Sequence, residues 1–262
     1  MNPGWQTLAY LLPAVVTAFF LPRIVRYAFA GIHPFPPTRW AWPEAVLTGA
    51  IAGFFLLMAF LSAGAEKVQV TLGSVLMSMF FYSGIALFLI GFLVMRGRNP
   101  VEAFGLNWRA WRTEAVLVPA ALLVAMPFIV AAQWLAYQIS GPETTPQPIV
   151  TFLLENPGWR ERLAVAAVAI VVAPLVEELI YRGCVYGICR QYVGRIPALV
   201  FSAVVFAVIH GHAPSLVGLF VLAVALTLLY ERTGSLWAPI ALHAVFNSLT
   251  IAAAILWPDL GS

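Results

Sequence analysis

Runs of about 20 apolar residues, broken by short polar or proline-rich stretches, recur along the chain, and that length matches an α-helix crossing the roughly 30 Å hydrocarbon core of a bilayer. The pattern predicts helices over residues 5–28, 44–63, 71–95, 114–139, 163–190, 196–210, 215–230 and 236–257. The expected fold is an all-α polytopic membrane protein with about eight transmembrane helices. Between the first two helices lies His33-Pro34-Phe35-Pro36-Pro37, a loop, because proline lacks the amide donor a helix needs. Residues 99–112 mix Trp108 and Trp111 with Arg109 and Arg112, and read either as a segment lying along the headgroup boundary or as an ordinary connection. The longest break, 140–162, carries Pro142, Pro146, Pro148, Pro157 and three glutamates. It divides a front unit, residues 1–139 with helices one to four, from a compact back unit, residues 163–262. There is no internal repeat, low-complexity tract or second soluble domain in the pattern.

Composition agrees with lipid as the solvent: 62% of the 262 residues are hydrophobic and 10% charged, more apolar surface than a soluble core of this length needs. The apolar stretch 8–21 is not expected to be a cleaved signal, because no Lys or Arg precedes it and Arg23 and Arg26 follow it. Cys184 and Cys189, five residues apart on one helix, face different ways and are expected to be free thiols. The net charge of +3 comes from basic residues scattered at helix ends without a run, which speaks for membrane orientation and against nucleic acid. Arg23, Arg26, Arg39, Arg96, Arg98, Arg109, Arg112, Arg190, Arg195 and Arg232 fall on one side of the predicted topology, with Lys67, Arg160 and Arg162 opposite and Arg182 inside a helix. This bias puts the loop after the first helix in the cytoplasm and both termini outside.

An ionisable side chain at a helix centre costs roughly 2.5–3.5 kcal/mol on insertion scales, so polar residues within the apolar back half are functional candidates. Three groups stand out, on three predicted helices: Glu177-Glu178-Leu179-Ile180-Tyr181-Arg182, Phe206 to His210, and His243 to Asn247. Consecutive helical residues point about 100° apart, so the two glutamates are expected to serve different targets. Glu178 and Arg182 are an i,i+4 pair able to form a buried salt bridge, which leaves Glu177 without that local partner. A carboxylate in such surroundings can take a proton from water and return it. At 1.5 Å per residue, Glu177 lies about 20 Å from Arg190, His210 about 22 Å from Ile196 and Asn247 about 16 Å from Leu236, so these three are expected at one depth, with His243 nearer the cytoplasmic face.

Glu177-Glu178-x-x-x-Arg182, Phe206-x-x-x-His210 and His243-x-x-x-Asn247 resemble the three signature motifs of the CAAX protease and bacteriocin-processing (CPBP, or Abi) family, which includes the Rce1-type glutamyl intramembrane proteases with eight transmembrane helices. The likeness covers about residues 163–257, the last four helices, and every signature position is filled. The resemblance implies an intramembrane endopeptidase without a metal or cofactor, with Glu177 as the general base and His210 positioning or polarising its water. It further implies that His243 and Asn247 stabilise the oxyanion. Glu178 and Arg182 would hold the glutamate helix, and Phe206 would be a packing residue. The implied partners are membrane lipid and a peptide or membrane-protein substrate, lipidated or not, at a prokaryotic cytoplasmic membrane.

Two other readings stand beside it. Glu177, His210 and His243 also make a familiar zinc set, as in a membrane metalloprotease, and the same residues would suit a transport path or the packing of an immunity or scaffold protein. Several protease chemistries lack their residues: Asp259 is the sole aspartate, Lys67 the sole lysine, and no H-E-x-x-H occurs. Cys184 has no base placed beside it and reads as packing. His212, His33 and the Glu231-Arg232 pair at a helix end read as loop or end residues.

Overall fold

The computed structural model describes residues 38–63, 70–106, 111–140, 147–155 and 158–256. The expected first helix at 5–28, the proline-rich connector at 33–37, Lys67, Trp108, Arg109 and Asp259 lie outside the described residues. Among the described residues every regular element is helical: α1 Trp42–Ala63, α2 Leu72–Met95, α3 Pro100–Phe104, α4 Trp111–Ser140, α5 Pro148–Glu155, α6 Trp159–Val193, α7 Arg195–Ile209, α8 Leu216–Thr233 and α9 Trp237–Leu256. Six of them, α1, α2, α4, α6, α8 and α9, are long and apolar enough to cross a membrane, where the sequence pattern called for about eight spans in the whole chain.

The difference within the back half is α7. Its 15 residues rise about 22 Å, short of the bilayer core, because Gly211 at φ +59° turns the chain immediately after His210. α6 departs in the other direction: it runs for 35 residues and begins at Trp159, inside the expected connecting loop. Two stretches of α6, Ala167–Val172 and Leu179–Tyr186, are π-helical, which apolar periodicity does not distinguish from α-helix. The expected loop at 140–162 also contains α5, whose Phe152 and Leu153 are buried with Val75 of α2 and Val165 of α6. α2 starts where its sequence signals: Thr71 Oγ1 accepts from the Ser74 amide at 3.1 Å and Ser74 Oγ from the Thr71 amide at 2.9 Å, a capping box.

The main core lies around α6, covered by Ala86, Leu89 and Leu93 of α2, Ala198, Ala203 and Phe206 of α7, and Leu219, Ala223 and Tyr230 of α8. A second layer packs Val118, Leu122, Ala125 and Ile129 of α4 against α8 and against Ala238 and Leu242 of α9. The 99–112 segment, read as either a headgroup-boundary stretch or an ordinary connection, sends Phe104, at the end of α3, fully into the main core. A Cβ added at Gly183 would lie 2.7 Å from both Cδ1 and Cε1 of that ring, so only glycine admits the contact. Gly183→Ala is expected to destabilise the bundle by about 1–3 kcal/mol, read as a lower melting temperature of the purified protein, while Gly84→Ala, whose Cβ would meet nothing within 4 Å, leaves it unchanged.

One end of the bundle is tied by charges. Buried Glu44 of α1 accepts from Arg98 Nε at 2.8 Å and pairs with Arg96 at 3.5 Å. Buried Glu231 of α8 pairs with Arg195 at 2.6 Å and Arg190 at 3.4 Å, and accepts from the Tyr186 hydroxyl. Trp40 links the two groups, exchanging backbone bonds with the Gln191 amide at 2.9 and 3.0 Å and lying under Arg98. Glu231 is therefore a buried structural hub, where the sequence suggested only a helix-end residue.

Candidate active site

Glu177 and Glu178 close the α-helical stretch Ala173–Glu178 that separates the two π stretches of α6. Both are buried. Glu178 Oε1 accepts from Arg182 Nη1 at 2.7 Å, and neither side chain is exposed. Arg182 also donates from Nη2 to the Ala223 carbonyl of α8 at 3.4 Å and sets its guanidinium carbon 4.3 Å from the centroid of the Phe206 ring. The i,i+4 spacing thus forms its pair, and a cation–π contact adds a third restraint on the cation.

His243 of α9 is the residue that joins the two carboxylates. Its Nδ1 lies 2.9 Å from Glu178 Oε1, and its Nε2 lies 3.9 Å from Glu177 Oε2. The two glutamates do share a target, because an imidazole presents nitrogens on two edges and neighbouring side chains on the facing helix approach one each. His243 therefore stands at the level of both carboxylates, not nearer the arginine-rich end. Glu178 accepts the Nδ1 proton, which fixes the neutral ring as the tautomer whose Nε2 lone pair faces Glu177. At 3.9 Å that nitrogen is beyond direct hydrogen-bond reach of Glu177.

His210 sits at the end of α7, with Nδ1 2.7 Å from the Phe206 carbonyl one turn back. That acceptor takes the Nδ1 proton and leaves Nε2 free to accept. His210 has no hydrogen bond to Glu177 or His243 among the described residues, and it is coupled to them through Phe206. The fully buried Phe206 ring lies 4.8 Å from the His210 ring, 5.7 Å from His243 and 5.5 Å from Tyr181. Phe206 is thus the hub on which both histidines, Tyr181 and Arg182 are seated, more than a packing neighbour of His210.

Asn247 stands one turn beyond His243 on α9 and donates from Nδ2 to the Ala169 carbonyl at 2.6 Å. Ala169 lies in the first π stretch, eight residues and about 12 Å of helix before Glu177. The structure thus brings His243 to the glutamates and ties Asn247 to a different level of α6, the reverse of the depth ordering expected from the sequence. One further group was not signalled by any motif: the Tyr82 hydroxyl of α2 donates to Glu177 Oε1 at 3.4 Å. Its only trace in the sequence is a polar ring in register with Val75, Ala86, Leu89 and Leu93, the buried stripe of α2. Cys184 is buried, which agrees with a packing role. Among the described residues no three His, Cys, Asp or Glu side chains are grouped closely enough to hold a metal ion.

Residues 159–249 match the family model described as type II CAAX prenyl endopeptidase Rce1-like, an interval that holds Glu177, Glu178, Arg182, Phe206, His210, His243 and Asn247. This segment is similar to the Rce1-like family. Two curated proteins are similar to about a third of the chain. "Putative membrane peptidase YdiL" of Bacillus subtilis (strain 168) is 27% identical over 84 residues, 32% of this chain and 34% of that protein. "UPF0177 protein YaiF" of Lactococcus lactis subsp. lactis (strain IL1403) is 36% identical over 80 residues, 30% of this chain and 35% of that protein. The chain therefore spans about a third of the length of the curated relatives it matches. No solved structure matches it. The Rce1-like segment comprises α6 to α8 and most of α9, while Tyr82 reaches its glutamate from outside that segment.

Proposed function

We propose that the chain is an intramembrane endopeptidase in which Glu177 activates the water that hydrolyses a peptide bond at the membrane. The observation that carries this reading is the placement of His243, with Nδ1 committed to Glu178 and Nε2 turned to Glu177 across 3.9 Å. That arrangement orients one nitrogen toward a reacting group and anchors it from behind, as a preorganised site requires. Glu177 Oε2 takes a proton from water as the oxygen attacks the scissile carbonyl carbon. The carbonyl oxygen becomes an oxyanion, and the same proton returns to the leaving amine as the C–N bond breaks. His243 Nε2, its lone pair turned toward Glu177, accepts the second hydrogen of the attacking water, with His210 seated beside it on the Phe206 ring. The oxyanion role expected of His243 and Asn247 is not assigned, because that nitrogen is an acceptor and Asn247 is held at another level of α6. Arg182 and Glu178 keep His243 in its tautomer and rotamer. The substrate is a peptide or membrane protein, lipidated or not, reached from the arginine-rich end. That end faces the cytoplasm of a prokaryotic cell under the excess of basic residues on its side, with both termini outside.

No metal is assigned to this mechanism, and the zinc reading uses the same Glu177, His210 and His243. Purified protein in liposomes is expected to cleave a membrane-anchored peptide at an unchanged rate after treatment with a strong chelator. Complete loss on chelation, with recovery on adding zinc, overturns the glutamyl mechanism in favour of a metalloprotease.

A further inference from the structure

We infer that Tyr82, on α2 and outside the Rce1-like segment, is a positioning residue that decides which oxygen of Glu177 acts as the base. The inference rests on the hydrolytic reading above. A glutamate carboxylate has two equivalent oxygens and three side-chain torsions, so a buried one needs a restraint before a single oxygen can face a reacting water. Arg182, which restrains Glu178, is already engaged by that carboxylate at 2.7 Å. Tyr82 supplies the missing restraint from the opposite helix: its hydroxyl donates to Oε1 at 3.4 Å, and Oε2 is left as the oxygen toward His243 Nε2. The two oxygens of Glu177 are thereby divided between an anchor on α2 and the imidazole on α9.

The tyrosine is itself held. Its ring packs 6.0 Å from Phe55 of α1, which in turn packs edge-on 6.3 Å from Phe81. On α2 the residues Val75, Ala86, Leu89 and Leu93 that share its face are buried against the rest of the bundle. Phe81, next in sequence, is 44% exposed. A neutral phenol suits this place better than a cation. It orients the carboxylate by one hydrogen bond without cancelling the charge that makes Glu177 basic, as the guanidinium does for Glu178. The front half of the chain thus contributes a group to a site whose motifs all lie in the back half.

The test measures kcat and KM of Tyr82→Phe, Glu177→Gln, their double variant and Phe81→Leu in liposomes, with the melting temperature of each. Tyr82→Phe keeps the ring and removes the donor. It is expected to lower kcat by about ten- to a hundredfold with KM within about twofold and an unchanged melting temperature, and to add no loss to the little that Glu177→Gln retains. Phe81→Leu is expected to keep the kcat of the parent. Wild-type kcat in Tyr82→Phe beside an inactive Glu177→Gln overturns the inference and leaves the hydrolytic reading standing. A loss in Tyr82→Phe that follows a lowered melting temperature, or that falls on KM alone, overturns it as well. Full activity in Glu177→Gln overturns Glu177 as the base, and the positioning role with it.

Discussion

Glu177→Gln is expected to lower peptide hydrolysis by about a thousandfold or more while the protein stays folded and embedded. The two side chains have the same shape, and the amide oxygen still accepts from Tyr82, so the contact at 3.4 Å has a partner in the variant. The lost property is the ability to take a proton: an amide is no base near neutral pH. General acid–base assistance is worth about 10²–10⁴ in rate, and here the same group also returns the proton to the leaving amine, so both halves of the reaction suffer. The measurement is cleavage of a membrane-anchored peptide by purified variant, beside the cellular phenotype of the same allele. A scaffold or immunity protein built on these residues as a packing network would keep its phenotype in a folded Glu177→Gln. Retained phenotype together with retained hydrolysis would remove Glu177 from the chemistry altogether.

What was legible in the sequence follows from which signals are local. The Glu178–Arg182 pair needs only the helical period, and it forms at 2.7 Å although a π stretch begins at Leu179. The three motifs are legible because polar residues are conspicuous in apolar helices, whatever the helices then do. Depth was not legible. Counting 1.5 Å per residue from arginine landmarks assumes straight α-helices that share one boundary, yet α6 runs on to Val193 and is π-helical twice. That is why His243, expected nearer the arginine-rich end, meets both glutamates, and why Asn247 meets Ala169 instead. The shortness of α7 was already present in the apolar run, since the expected 196–210 and the observed Arg195–Ile209 are both 15 residues long, and Gly211 with its positive φ marks the end. Tyr82 was invisible for a different reason: a single tyrosine in an apolar helix has many bland explanations, and only the partner on α6 singles it out.

Arg182→Met is expected to cost about 3–5 kcal/mol of stability, the largest effect on the fold of any single change in the site. The cation is fully buried, donates to Glu178 at 2.7 Å and to the Ala223 carbonyl at 3.4 Å, and lies on the Phe206 ring. Removing it strands the Glu178 carboxylate in a site with no water-exposed surface, and breaking a buried pair from one side carries that full desolvation cost. Replacing both partners tells the uncompensated charge from lost packing. Glu178→Gln/Arg182→Met exchanges the pair for groups of similar size, and its loss is expected to fall below the sum of the single losses by about 2 kcal/mol or more. Additive losses would mean that packing, not charge, accounts for the effect. Stability and activity should then separate: the double variant recovers much of its unfolding free energy but stays slow, because Glu178 no longer holds the Nδ1 proton of His243 at 2.9 Å and Nε2 is no longer fixed toward Glu177. Reversible unfolding of the purified variants in mixed micelles, read beside the cleavage rate, measures both quantities on the same protein.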